Sequence, residues 1–282
     1  MAPLTRKFTL ADLRAARQNG KKLAMLTAYD FTTARLMQDA GVPMLLVGDS
    51  AANVILGHET TVAAPLTFMI ELTAAVRRGA PLCLVSADMP FGSYGGELAS
   101  GFRNVVRMMK LSGADCVKLE VGPEHTTLVR ELAGIGVAVI AHLGLRPQSV
   151  GLLGGYRARG RTAQDARAVV SLAVEMQRAG AAAILLEAVP PEVSAAVVER
   201  TGVPVIGCGA GPACHAHVIV MHDAVGLTAH RPKFAPQLGD LAGPMKQLFA
   251  AYVHNIDAGT YPAPEHQYEM PVEEKKKFTQ DA

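Results

Sequence analysis

The sequence lacks the features that would mark a membrane, secreted or nucleic-acid-binding protein. No apolar run reaches the roughly 20 residues that a transmembrane helix needs, and residues 1–22 lack the apolar region of a secretory signal. The formal net charge is only +2, and the longest run of like charge, 275–277, directly follows two glutamates. We therefore expect neither a membrane nor a nucleic acid as a partner.

Tryptophan is absent and cysteine is scarce. The spacing of the cysteines matches neither a zinc site nor the disulfide framework of a small secreted protein. Three of them lie in or beside apolar, strand-like runs. We therefore expect reduced thiols in a cytoplasmic protein. The four cysteines are Cys83, Cys116, Cys208 and Cys214.

Half of the 282 residues are hydrophobic, which is enough for one large core or two small ones. Apolar runs of strand length alternate with amphipathic stretches, several of which end in Gly. This alternation is typical of a parallel sheet that is covered by helices on both faces. The seven runs are LAMLTAYD, PMLLVGDS, LCLVSADMP, CVKLEVG, VAVIAHLGL, AAAILLEAVP and VPVIGCGAG.

About eight such units in a chain of this length predict an α/β fold, a single (β/α)8 barrel of the TIM type. The eighth strand stays open between VIVMHDAVGL and PKFAP, because periodicity does not separate a short strand from a buried helix. A helix is expected before the barrel, with Thr9 as its N-cap, Asp12 three residues later and Gly20 at its end. We assign residues 1–266 to the barrel and 267–282 to a charged tail.

Polar residues stand at the ends of the apolar runs, where such barrels carry their active sites. Taken singly, each has a structural interpretation: Asp30 as a helix N-cap, His142 as a core histidine, and Lys118 with Glu120 as an ion pair on one strand face. His142 is kept as an accessory site residue. The set is Asp30, Asp49, Ser50, Asp88, Lys118, Glu120, His142 and Glu187.

Taken together, these residues indicate a cation site. Buried carboxylates are costly unless they are paired or bind a metal, and several carboxylates with one lysine are expected at the same end of the barrel. Hard oxygen ligands without a His–Cys cluster favour Mg²⁺ over zinc. Mg²⁺ keeps positions open for water or substrate, which suits Lewis-acid chemistry.

Motifs along nearly the whole chain, from about Phe8 to His266, resemble the ketopantoate hydroxymethyltransferase family. The combination of GDS, the VKLE strand and HLGL-PQS followed by GG-Y-GR is specific, although each motif alone is weak. The matching segments are LTAYDFTTARL, LLVGDSAANVILGHETT, SADMPFGSY, GADCVKLEVG, AHLGLRPQSVGLLGGYRARGR, LLEAVP, GCGAGPACHAHVIVMHDAVGL, PKFAP and YPAPEH.

The resemblance implies an enzyme of pantothenate and coenzyme A biosynthesis. Such an enzyme transfers a one-carbon unit from 5,10-methylenetetrahydrofolate to 3-methyl-2-oxobutanoate through a Mg²⁺-stabilised enolate, giving 2-dehydropantoate. The family is implied to be a Mg²⁺-dependent barrel, cytoplasmic and homo-oligomeric, commonly a decamer.

The resemblance also assigns roles to residues of this chain. It implies Asp49 and Asp88 at the metal, with Glu120 joining them directly or through water. Asp49, Ser50, Asp88 and Lys118 are the implied contacts to the oxoacid. Glu187 is the implied general base.

The sequence departs from the family pattern at two places. His215-Ala216-His217 stands where Asp-Gly-Gln is frequent, which leaves folate contacts or local packing there open. Ala51-Ala52-Asn53 follows GDS where Leu-Gly-Met is usual.

Three other interpretations stay open. One is a Mg²⁺-dependent 2-oxoacid C–C lyase of the isocitrate lyase and phosphonopyruvate type, although the Lys-Lys-Cys-Gly-His loop of isocitrate lyases is missing. Another takes GCGAG as a phosphate cradle, with close strand–helix packing as the alternative. The last is an inactive paralogue that acts as a binding protein, against which the intact set of polar site residues argues.

Overall fold

Eight parallel strands form a closed barrel in the computed structural model, which describes residues 3–280 apart from the side chain of Leu153. The strands are β1 (Leu23–Thr27), β2 (Met44–Val47), β3 (Leu84–Asp88), β4 (Cys116–Glu120), β5 (Val139–Gly144), β6 (Ala183–Glu187), β7 (Val205–Cys208) and β8 (Ala216–Ile219). Each strand pairs with the next in sequence, and β8 pairs with β1 to close the barrel. The prediction of an α/β (β/α)8 barrel is therefore confirmed.

Helices follow or interrupt the connections between the strands. No helix in the described part of the chain is long and apolar enough to cross a membrane. The α-helices are α1 (Leu10–Gln18), α2 (Phe31–Asp39), α3 (Ala51–Val54), α4 (Leu66–Gly79), α5 (Leu98–Ser112), α6 (Thr126–Gly134), α7 (Val150–Leu153), α8 (Ala163–Arg178), α9 (Pro191–Arg200), α10 (Met221–Ala224), α11 (Ala242–Asp257) and α12 (Val272–Gln280). Short 3₁₀ turns occupy Thr61–Ala63, Pro123–His125, Pro147–Ser149 and Pro264–His266.

The seven predicted strands all form inside their apolar runs, whereas the eighth lies slightly earlier than either alternative. Strand β8 begins two residues before VIVMHDAVGL and shares only its first two residues, and α10 takes residues from the same run. PKFAP forms a turn rather than a strand. The backbone of β8 is fixed by pairing with both β7 and β1, a long-range constraint that local periodicity does not contain.

Helix α1 closes the amino-terminal end of the barrel. Thr9 accepts a hydrogen bond from the backbone N–H of Asp12, and the Asp12 carboxylate accepts one from the backbone N–H of Thr9, so the predicted capping box is present. Leu13 and Ala16 are buried in one cluster with inward-facing side chains of the strands. Because this end is filled with apolar side chains, the opposite, carboxyl-terminal end is left to carry a site.

The described chain divides into two compact units. The first comprises residues 3–224 and 228–236 and contains the whole barrel. The second comprises 225–227 and 237–280 and contains α11 and α12, neither of which has a buried residue. The boundary after residue 266 that we drew from the sequence stays a prediction.

Candidate active site

A cavity of about 680 Å³ lies at the carboxyl ends of the strands, within the first unit. The polar residues predicted from the strand ends meet there, and Glu120 is buried beside them. Asp30 has a different role, because its carboxylate accepts a 2.8 Å hydrogen bond from the Thr33 backbone N–H and caps α2. The predicted residues that line the cavity, called the floor group below, are Asp49, Ser50, Asp88, Lys118, His142 and Glu187.

Lys118 pairs with Asp88 from the neighbouring strand. Its Nζ lies 2.7 Å from Asp88 Oδ1, and the two side chains are 6% and 2% exposed. The backbone N–H of Asp49 donates to the other oxygen of Asp88 at 3.0 Å. Gly48 leaves room for the Ser50 hydroxyl, since a Cβ there would lie 2.8 Å from Ser50 Oγ. The end of β2 is thereby held against the end of β3.

Buried carboxylates outnumber the one lysine at this end of the barrel. Burial and the Asp88 charge raise the pKa of Asp49 to about 7. Burial and the Asp49 charge raise the pKa of Glu120 well above its ordinary value. Burial opposes ionisation of Lys118, but Asp88 and Asp49 outweigh it and raise its pKa above the ordinary value. The electrostatics therefore favour one more positive charge here.

Two residues that sequence reasoning did not single out fix the carboxylates. The Gln148 side-chain amide donates to Asp49 Oδ2 at 2.8 Å and to the Met89 carbonyl at 3.0 Å, and its backbone N–H donates to Glu120 Oε2 at 3.1 Å. The Tyr94 hydroxyl donates to Gln148 Oε1 at 3.0 Å and accepts from the Glu120 backbone N–H at 2.8 Å. Both residues lie in loops, inside the SADMPFGSY and HLGLRPQSV segments that carried the resemblance.

His142 lies between two carboxylates. Its Nδ1 is 3.8 Å from Glu120 Oε1 and its Nε2 is 3.4 Å from Glu187 Oε2. Burial and the Lys118 charge lower the pKa of His142 well below its ordinary value, so the imidazole is neutral. Burial raises the pKa of Glu187 to about 7, and Lys118 opposes this increase. Glu187 thus has the proton affinity that a general base needs near neutral pH.

The backbone around Glu187 is tightly constrained. Ala188 has a φ of 48°, a left-handed conformation that a non-glycine residue rarely adopts, and its N–H donates to the Cys208 carbonyl at 2.9 Å. Gly144 faces it from β5, where a Cβ would lie 2.3 Å from the Glu187 carbonyl oxygen. These contacts hold the backbone at the end of β6, which carries the Glu187 side chain.

The donor chemistry of the floor group and of the neighbouring Glu120 is compatible with a hard cation. Asp49, Asp88 and Glu120 offer only carboxylate oxygens, the ligand type that Mg²⁺ prefers. Within residues 3–280, no three His, Cys, Asp or Glu side chains are already gathered into a metal shell.

A second wall of the cavity comes from segments that the sequence analysis did not assign to a site. The α3 region and the 3₁₀ turn after it contribute one side, and loops after β5 and α10 contribute the other. These residues, called the outer wall below, include Asn53, Glu59, Thr61, Tyr156, His230, Pro232 and Phe234.

The first departure from the family pattern, at residues 215–217, does not reach the floor group, whereas Asn53 of the second lines the cavity. His215 Nδ1 accepts a hydrogen bond from the Val205 backbone N–H at 2.9 Å, and His217 is exposed on β8. The glycines of GCGAG are explained by packing, because a Cβ on Gly209 would lie 2.5 Å from the Phe234 ring and one on Gly211 would lie 2.8 Å from Pro191. Close packing, the alternative to a phosphate cradle, therefore accounts for these glycines.

Solved structures with the same fold include 2,3-dimethylmalate lyase, described as a member of the PEP mutase/isocitrate lyase superfamily. It has a TM-score of 0.58 and 18% identity, with 96% of this chain and 98% of that chain covered. Phosphonopyruvate hydrolase, solved in complex with oxalate and Mg²⁺, has a TM-score of 0.61 and 15% identity, with coverage of 97% and 95%. At such low identity the likeness concerns the fold alone.

Sequence similarity is much stronger to one group of enzymes. The 3-methyl-2-oxobutanoate hydroxymethyltransferase of Thermobifida fusca (strain YX) is 43% identical over 263 residues, which cover 93% of this chain and 94% of that protein. The enzyme of the same name from Halorhodospira halophila (strain DSM 244 / SL1) is 42% identical over 261 residues, with coverage of 93% and 94%.

The family described as ketopantoate hydroxymethyltransferase matches residues 7–264. That span includes the barrel, the floor group and the outer wall. The sequence motifs and the similarity to the two relatives cover the same part of the chain. The chain therefore belongs to the ketopantoate hydroxymethyltransferase family.

Proposed function

We propose that this protein transfers a hydroxymethyl group from 5,10-methylenetetrahydrofolate to 3-methyl-2-oxobutanoate and forms 2-dehydropantoate, a step of pantothenate and coenzyme A biosynthesis. Family membership supports the reaction class. One structural observation carries the chemistry: Glu187, with a pKa of about 7, lines the same cavity as the buried Asp49, Asp88 and Lys118. A candidate base and a cluster of buried charged groups thus share one cavity.

The proposed reaction begins with proton removal. Glu187 takes the C3 proton of the oxoacid, and the C–H electron pair becomes the C2–C3 double bond of an enolate. Lys118 stabilises the negative charge that develops on the keto oxygen. Ser50 contacts the oxoacid from the end of β2. The C3 carbon then forms a bond to the methylene carbon of the folate as its bond to N10 breaks. A water oxygen bonds to the same carbon as its bond to N5 breaks, and the proton held on Glu187 and one proton of the water go to the two nitrogens, so that tetrahydrofolate leaves.

We further propose Mg²⁺ as the cofactor. Asp49 and Asp88 are the residues that would hold it, with Glu120 contributing directly or through water. When bound, the ion supplies positive charge beside the oxygens of the oxoacid. The raised pKa of Asp49 supports this proposal, because a carboxylate destabilised by burial and by a neighbouring acid gains most from a nearby cation.

His142 is proposed as an accessory positioning residue. Its neutral imidazole lies within 4 Å of both Glu120 and Glu187. In this position it spaces the two carboxylates and limits the directions that Glu187 can take. It has no proposed role in proton transfer.

We also propose that the protein is a homo-oligomer, a decamer by family resemblance, and that it works in the cytoplasm. Helix α11 carries apolar side chains that are exposed on a single chain, a pattern typical of interfaces. Sedimentation velocity at micromolar protein tests this, since a monomer would contradict it. The exposed side chains of α11 are Leu248, Phe249, Tyr252, Val253 and Ile256.

A turnover assay tests the reaction. The protein is incubated with 3-methyl-2-oxobutanoate and 5,10-methylenetetrahydrofolate, with Mg²⁺ or with a chelator, and 2-dehydropantoate is detected by mass spectrometry. We expect product only with both substrates and Mg²⁺. Cleavage of an oxoacid without the folate would instead indicate a lyase, and no turnover of either kind would indicate a binding protein. Asp88→Asn is expected to weaken Mg²⁺ binding and turnover without unfolding the protein, because one charged ligand is lost.

A further inference from the structure

The cavity is larger than a small oxoacid requires. Its volume of about 680 Å³ falls in the range of roughly 300–1,000 Å³ that holds drug-sized ligands. The proposed chemistry at the oxoacid uses only the floor group and Glu120. The outer wall, on the same cavity, has no role in that chemistry and is available for a second ligand.

Polar groups on one side of the outer wall lack partners within the protein. Glu59 is the one lining carboxylate outside the floor group; the residue is exposed at the cavity, and no described residue gives it a hydrogen bond or an ion pair. Thr61 is only 5% exposed, and its hydroxyl is buried without a hydrogen-bond partner among residues 3–280. A buried hydroxyl without a partner is rare in a native protein, which makes Thr61 a candidate for contact with a ligand in this cavity.

The other side of the outer wall carries several ring side chains, and Arg231 also lines it. Tyr156, Pro232 and Phe234 line it, and His230 adds a further ring. Planar side chains of this kind contact the face of a planar ligand. Gly209 leaves space for the Phe234 ring, because any side chain at this position would overlap the ring. The two sides together fit a flat heteroaromatic ring with hydrogen-bond donors along one edge.

We propose that the outer wall binds the pterin ring of the folate co-substrate and that Glu59 recognises its amino-pyrimidinone edge. That edge places a ring N–H beside an exocyclic NH₂, two parallel donors that match the two oxygens of a carboxylate. Thr61 supplies a further hydroxyl on the same side. This inference rests on the proposed function, because it deepens the identity of the second substrate.

Isothermal titration calorimetry with tetrahydrofolate, in the presence of 3-methyl-2-oxobutanoate and Mg²⁺, tests the assignment. Three variants are compared with the wild type: Glu59→Gln, Thr61→Val, and the matched control Glu71→Gln on the exposed face of α4. We expect Glu59→Gln to weaken tetrahydrofolate binding roughly 10- to 100-fold, as for loss of charge-assisted hydrogen bonds. A smaller loss is expected for Thr61→Val and none for Glu71→Gln.

A tetrahydrofolate analogue with a methyl group in place of the 2-amino group distinguishes direct recognition from an indirect effect. The analogue is expected to bind the wild type about as weakly as tetrahydrofolate binds Glu59→Gln. In Glu59→Gln, the same analogue is expected to bind no more weakly than tetrahydrofolate does. If replacing the 2-amino group weakened binding equally in the wild type and in Glu59→Gln, the assignment would be overturned. It would also be overturned if the wild type bound the two ligands equally well. The comparison of the two ligands on the wild type keeps the assignment falsifiable even if a variant fails to fold.

Failure of this inference is distinguishable from failure of the proposed function. If the wild type binds tetrahydrofolate and exchanges the C3 proton of the oxoacid, but Glu59→Gln binds tetrahydrofolate equally well, only the pterin assignment is wrong. If the wild type neither binds tetrahydrofolate nor exchanges the proton, the proposed function is wrong, and the pterin assignment is overturned with it.

Discussion

Lys118 Nζ lies 2.7 Å from Asp88 Oδ1, and this contact joins β4 to β3 at the carboxyl end of the barrel. The strand register places the two residues opposite each other. The nearest ion-pair partner of Lys118 is therefore on the next strand, and not Glu120 two residues along its own strand. In the proposed reaction, the same lysine stabilises the negative charge that develops on the keto oxygen of the oxoacid.

Removing the lysine leaves Asp88 buried and unpaired. We expect Lys118→Met to lower the melting temperature in a chelator, because an uncompensated buried charge costs about 3–5 kcal/mol. Mg²⁺ is expected to restore part of the loss, since the ion replaces the missing charge. Differential scanning calorimetry with and without Mg²⁺ measures both effects. The control is Lys110→Met, an exposed lysine on α5. A Lys118→Met protein that melts like this control would contradict the account.

Gln148 provides a second test, because it contacts two proposed metal ligands at once. Gln148→Leu keeps the size of the side chain and removes the amide that orients Asp49. We expect Mg²⁺ binding to weaken about 10- to 100-fold, as for loss of a group that orients a metal ligand. Competition against Mn²⁺, followed by electron paramagnetic resonance, measures this without turnover. Gln164→Leu, exposed on α8, is the control. Unchanged affinity in Gln148→Leu would mean that the Asp49 carboxylate needs no such support.

Much of the fold could be predicted from local sequence. The seven apolar runs became strands because buried parallel strands need apolar residues on both faces, and that requirement is visible in a single segment. Asp49, Asp88, Lys118 and Glu187 were singled out because a charged residue in or at the end of such a run is conspicuous.

What escaped prediction depends on contacts between distant segments. The start of β8 is set by its pairing with β1, across nearly the whole chain. Tyr94 lies in a loop and Gln148 in a short 3₁₀ turn. Nothing in their local sequence indicates that they contact Asp49 and Glu120. The i, i+2 rule put Lys118 beside Glu120, but the alignment of β3 with β4 decided its partner.

The pKa of Glu187 predicts a pH dependence. A base must be deprotonated to accept the C3 proton, and the pKa of this carboxyl is raised to about 7, chiefly by burial. The rate of C3 proton exchange is therefore expected to rise with pH, to reach half of its maximum near this value and to level off above it. Since Lys118 lowers the pKa of Glu187, Lys118→Met is expected to move the midpoint to higher pH. A wild-type rate that falls with pH over the same range would contradict the assignment of the base.

The most direct test of the central claim is exchange of the C3 proton of 3-methyl-2-oxobutanoate with D₂O, followed by proton NMR without any folate. The wild type with Mg²⁺ is expected to remove the C3–H signal. Glu187→Gln keeps the shape of the side chain and removes the proton acceptor, so the rate is expected to fall roughly 10²- to 10⁴-fold while the oxoacid still binds. Exchange in Glu187→Gln at the wild-type rate, or no exchange in the wild type, would contradict the account.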